Sequence, residues 1–192
     1  RRFDELTINR LNNISELRFR CIPPSMKWAF GSSLIFGILC HIASITGWIL
    51  NWDSLVHKVT LYNYEFLGKQ GKPLFDVVYR LLGQINVGSI NSVMAIFFIA
   101  IAATLIVKIL KITKPLTAVL IGAVMVAFPS VMCTFAYDME NAFFFTMLLA
   151  VVSAFFAQRE GKHKIWNSIV AIGILTISLL IYQAYIGVTA GI

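Results

Sequence analysis

The run V-G-S-I-N-S-V-M-A-I-F-F-I-A-I-A-A-T-L-I-V, residues 87–107, has no ionisable side chain and is followed at once by Lys108, Lys111 and Lys114. A helix of about 20 apolar residues covers the hydrocarbon core of a bilayer, and basic residues gather beyond its cytoplasmic end. The run therefore reads as a membrane span. Ala29–Leu50, Leu116–Ala136, Ala142–Ala157 and Ile165 to about Tyr182 read the same way, which predicts an all-α polytopic transmembrane bundle of about five spans. Composition agrees. The 192 residues are 58% hydrophobic and 13% charged, whereas soluble domains are about 45–50% apolar and about 25% charged.

Outside the spans the chain is amphipathic. Residues 3–22 form a stripe of Phe3, Leu6, Leu11, Ile14, Leu17 and Cys21 at helical spacing, accompanied by Arg1, Arg2, Arg10, Arg18 and Arg20. Such a basic helix lies on an anionic membrane surface, and Pro23-Pro24 ends it. We set residues 1–28 apart as this cytoplasmic segment and 29–192 as the transmembrane module. Between the first two spans, the loop 51–87 holds two short amphipathic segments. Leu55, Val56, Val59, Tyr62 and Phe66 share one face of the first; Leu74, Val78, Leu81, Leu82 and Ile85 share one face of the second, and Pro73 suits its first turn. Each is expected to lie flat along the membrane.

Charge sets the orientation. The N-terminal segment and the loops 108–115 and 158–164 are basic, the 137–141 link carries only acids, and 51–87 is nearly balanced. Alternating spans bring the three basic segments to one side, which the positive-inside rule makes cytoplasmic. Asp53, the loop helices, Asp138, Glu140 and Gln183 then converge on the external face. The net charge of +7 is accounted for by this flanking, so nucleic acid is not the expected partner. Pro129 is expected to kink the third span. His41 lies mid-span, where an ionisable side chain is either functional or bonded to a neighbouring helix. Cys40 and Cys133 read as small core residues, and no cysteine pair has metal-ligand or C-x-x-C spacing. The chain opens on Arg1 and ends on Val188-Thr189-Ala190-Gly191-Ile192, which reads as part of a longer polypeptide.

There is no GxGxxG, Walker loop, HExxH or G-x-S-x-G motif, which leaves soluble nucleotide-sugar or ATP chemistry without its usual apparatus. A sugar carried on a lipid phosphate needs something different. A carboxylate must take the proton of the attacking hydroxyl, and cations must hold the departing phosphate at headgroup level. Asp53 can supply the first, with Asp138 and Glu140 as further carboxylates; Lys58, Lys72 and Arg80 can supply the second, or a divalent cation can be bound there. The order N-W-D-S-L-V-H (51–57), G-K-P-L-F (71–75), F-A-Y-D-M-E-N-A-F (135–143) and S-L-L-I-Y-Q-A-Y-I (178–186) resembles membrane glycosyltransferases of the GT-C class. More narrowly, it is similar to the N-terminal part of the Gtr-type bacterial glucosyltransferases that modify O-antigen and related surface polymers.

The resemblance implies a GT-C-like fold in the bacterial inner membrane, with the N-terminus cytoplasmic. It implies inverting transfer of a hexosyl residue, commonly glucosyl, from a polyprenyl-phosphate donor to a surface glycan. His57, Tyr182 and Gln183 are then candidates to contact the sugar. Families of this kind often carry two adjacent acids in the first motif, whereas Trp52-Asp53-Ser54 has one. Two alternatives stand beside this reading: a transporter or lipid flippase, and a non-catalytic scaffold for glycan assembly.

Overall fold

The computed structural model describes residues 22–47, 72–75, 77, 78, 81, 88–136, 140–160 and 163–191. Among these, every regular element is a helix: α1 (Pro24–Cys40), α2 (Ile42–Ile45), α3 (Gly88–Ile109), α4 (Pro115–Ala127), α5 (Pro129–Thr134), α6 (Glu140–Ala157), α7 (Lys164–Ile181) and α8 (Ile186–Gly191), with a 3-10 turn at Gln183–Tyr185. The expected N-terminal amphipathic helix, Cys21 and the first loop segment lie outside the described residues. Among the described residues, two helices, Ser89–Ile109 within α3 and Lys164–Ile181, are long and apolar enough to cross a membrane; Pro115–Ala127 and Asn141–Ala157 are shorter apolar helices. Large apolar side chains cover the outside: Ile35, Leu39, Leu120, Val124 and Ile172 are each more than half exposed. Such a surface suits a lipid-facing bundle.

Three helices, α1, α4 and α5, begin on proline, which lacks the N–H that a first-turn residue would leave unpaired. The first helix thus starts at Pro24, ahead of the Ala29 expected from hydropathy. The C-terminus of α3 is closed by a Schellman pair: Lys111 N–H donates to the Lys108 carbonyl at 3.2 Å and Ile112 N–H to the Val107 carbonyl at 3.0 Å. Lys111 takes the left-handed conformation usually given to glycine (φ 51°), and Ile112 packs back on the buried Val107.

The bundle is built as α1 on α3 and α4, and α6 on α3 and α7. Contact surfaces are lined with small residues. Ala29, Ala95, Ala102, Ala118, Ala142, Ala150 and Ala171 are all buried, which lets backbones approach closely where lipid offers no hydrophobic drive between helices. The tightest crossing is at Gly122 of α4, where a Cβ would overlap Ser32 Oγ and the Ala29 carbonyl of α1. Hydroxyls tie helix to helix across the same seams: Ser33 donates to the Gly122 carbonyl at 3.2 Å, Ser153 to Ala171 at 2.8 Å and Ser178 to Thr146 at 3.1 Å.

The third apolar run is broken where a kink was expected. Phe128 is extended (ψ 135°) and separates α4 from α5. Pro129 has no N–H, and the break also frees the Val126 carbonyl from its helical partner. His41 Nε2 meets that carbonyl at 2.8 Å, so this nitrogen carries the proton and donates. The imidazole is buried (2% exposed) and stacks on Phe135 at 3.7 Å between centroids. Of the two readings of His41, the bonded structural one is what the fold uses. The core-cysteine expectation is corrected: Cys133 is exposed and Cys40 half-buried, because Cys133 falls on the outward side of the short α5.

Gly122→Leu should separate α1 from α4 and lower the unfolding midpoint in detergent sharply, since overpacking costs about 1–3 kcal/mol or more. Gly173→Ala, where nothing lies within 4 Å of an added Cβ, should raise it slightly, by up to about 1 kcal/mol. His41→Ala should cost about 1–3 kcal/mol by stranding the Val126 carbonyl, and His41→Gln, which keeps a donor, should recover part of the loss in the same measurement.

Candidate functional site

The helix ends sort into two groups. At one end, Met26, Ala29, Val107, Ile112, Ala118 and Ile121 pack together, and Lys108 of α3 reaches Phe155 of α6. At the other, Asn141 Nδ2 of α6 donates to Asn91 Oδ1 of α3 at 3.2 Å, with both side chains buried. The second end also receives the loop segment that begins at Lys72.

That docking depends on a break in the last long helix. Tyr182 is extended (φ −156°, ψ 118°), so α7 stops at Ile181 and the chain resumes as the 3-10 turn. In an unbroken helix the Leu180 carbonyl would accept from residue 184. Here it accepts from Leu74 N–H at 3.2 Å. One residue on, Phe75 is buried (1% exposed) against Phe143 of α6, at 5.4 Å between ring centroids. Phe143 lies edge-on to Tyr182 at 4.8 Å, and Tyr182 contacts Tyr185 at 5.7 Å. Lys72 Nζ sits 4.8 Å from the centre of the Tyr182 ring, within cation–π range. Burial, and then the neighbouring Tyr182, raise the Tyr185 hydroxyl above the usual phenol range; like any phenol at neutral pH it is protonated and able to donate.

The structure therefore brings together Lys72 and Tyr182, two of the residues expected from sequence, with Gln183 exposed in the next position. Glu140 opens α6 at the same end, but its side chain lies outside the described residues, as do Asp53, His57, Lys58, Arg80 and Asp138. Among the described residues no group of three His, Cys, Asp or Glu side chains could hold a metal ion. The described residues place an ammonium over an aromatic face beside a broken helix. An ammonium so placed can hold a phosphate, and a ring face with neighbouring hydroxyls can receive a sugar.

Sequence reasoning missed Phe75 and Phe143 as the parts that seat Lys72. The expected stripe of the second loop segment ran through Leu74, Val78 and Leu81. Leu74 and Val78 do pack on this cluster, but Leu81 is 78% exposed and Phe75 takes the buried place. The G-K-P-L-F order marked the stretch but not which of its side chains goes in. The break at Tyr182 carries neither Gly nor Pro, so no local signal announces it.

No curated protein and no solved structure matches the chain. A family model does: the one described as Glucosyl transferase GtrII matches residues 43–192, taking in the Lys72 segment, the start of α6 and the break at Tyr182. On that match, which spans well over half of its length, the chain belongs to the GtrII glucosyl transferase family.

Proposed function

We propose that the chain is the donor-side part of a polytopic, GT-C-like membrane glycosyltransferase, crossing the bilayer with α1–α2, α3, α4–α5, α6 and α7. It moves a hexosyl residue, glucosyl in the first instance, from a polyprenyl-phosphate carrier to a surface glycan on the external face, with inversion at the anomeric carbon. Its setting is the bacterial inner membrane with the N-terminus inside. Family membership supports glycosyl transfer. The observation that carries the choice of donor is the seating of Lys72 over Tyr182 beside the broken end of α7, because it holds a cation at the end of an apolar bundle, level with where a lipid-borne phosphate would lie.

In this mechanism Asp53 takes the proton from the acceptor hydroxyl as it attacks the anomeric carbon, and Asp138 and Glu140 are the other carboxylates at that face. The glycosidic bond to phosphate breaks, and Lys72, with Lys58 and Arg80, holds the negative charge that builds on the leaving group. Tyr182, Gln183 and His57 contact the sugar. A divalent cation would serve the same end as the lysines if the undescribed acids hold one. The transport alternative loses support, because His41, the ionisable group deep in a span, is committed to the Val126 carbonyl.

The test is glucose transfer from a synthetic polyprenyl-phosphate donor by membranes containing the full-length protein. Asp53→Asn should lower turnover by about a hundredfold or more. Lys72→Met should lower kcat/KM by about tenfold to a hundredfold, the loss of one charge-assisted contact. Full turnover by both variants would remove these residues from the mechanism, and no transfer by the wild type would return the scaffold reading.

A further inference from the structure

The opposite end of the bundle has its own unexplained chemistry. Lys27 on α1, Lys108 and Lys111 at the end of α3, Lys114 before α4, Arg159 after α6 and Lys164 opening α7 are all exposed. Glu160 is the one acid described among them. Lys108 and Arg159 are the notable pair. One lies in α3 and the other in the turn after α6, yet both approach the ring of Phe155, Lys108 Nζ at 4.8 Å from its centroid and Arg159 Cζ at 5.9 Å. A ring attracts an exposed cation by only about 0.5–1 kcal/mol, and neither group has a carboxylate partner among the described residues. Two like charges are thus brought to one half-buried ring, with Glu160 the one described acid near them and ion-paired to neither.

The surroundings select the kind of anion. Exposed apolar side chains stand beside the cations along the chain: Trp28 (56% exposed) follows Lys27, Leu110 and Leu116 flank the lysine loop, and Ile165 (80%) and Trp166 (66%) follow Lys164. Exposed tryptophan beside lysine is the signature of a membrane–water boundary. A nucleic acid or an acidic protein would leave these apolar groups wet, whereas a phospholipid covers them with its chains and offers a phosphate at the level of the cations.

We propose that the Lys108–Arg159 corner at Phe155 is a binding site for an anionic phospholipid headgroup. Its phosphate lies between the ammonium and the guanidinium, and its acyl chains run down the outer faces of α3 and α6. The site is independent of the transfer reaction and lies at the far end of the bundle from it.

The test uses detergent-solubilised protein, in which membrane orientation plays no part, titrated with phosphatidylglycerol or phosphatidylcholine and read by native mass spectrometry. Phosphatidylglycerol should be retained in preference. Lys108→Gln with Arg159→Gln should weaken its retention about tenfold, Lys111→Gln with Lys114→Gln should change it less than threefold, and the charge-conserving Lys108→Arg with Arg159→Lys should keep it near wild type. Unchanged circular dichroism shows that the variants fold. Equal loss in the two glutamine doubles would mean diffuse charge attraction rather than a site, and so overturn the proposal. No preference for phosphatidylglycerol in the wild type, or its displacement by millimolar glycerol phosphate, would overturn it as well.

Discussion

A broken helix in an apolar bundle leaves backbone carbonyls that must find a donor, because neither lipid nor a packed core supplies one. Two such carbonyls organise this protein. The Val126 carbonyl, freed at the Phe128 break, is met by His41; the Leu180 carbonyl, freed at the Tyr182 break, is met by Leu74 N–H. The first bond joins the first and third apolar runs. The second brings the loop between the first two apolar runs onto the last long helix, and with it Lys72. The candidate site exists because a helix end needed a partner and the loop backbone provided it.

The two ends of the bundle are held by different means. At the loop end, polar groups are buried and paired in side-chain bonds, as in Asn91 with Asn141, and aromatic rings interlock from Phe75 to Tyr185. Pairing of this kind fixes geometry, since a displaced partner would leave a buried amide unsatisfied. At the other end the polar groups are exposed cations with apolar neighbours, a surface suited to contact with headgroups. One end is built to hold a position and the other to meet the membrane boundary.

Hydropathy and charge alone determined much of this: the all-helical class, the places of the apolar helices, and the common end of Lys108, Lys114 and Arg159. These are properties of runs, and a run of apolar residues must be helical in an apolar medium whatever surrounds it. The family resemblance was also legible, since it rests on the order of short motifs. Only the tertiary structure decided that the kink expected at Pro129 is a full break at Phe128, that His41 serves a backbone carbonyl, that Cys133 faces outward, and that Phe75 rather than Leu81 is the buried anchor beside Lys72. Each of these depends on which freed carbonyl lies across from which donor. That is settled by packing between segments far apart in the chain, such as Leu74 against Leu180 and His41 against Val126, and no local pattern of residues encodes it.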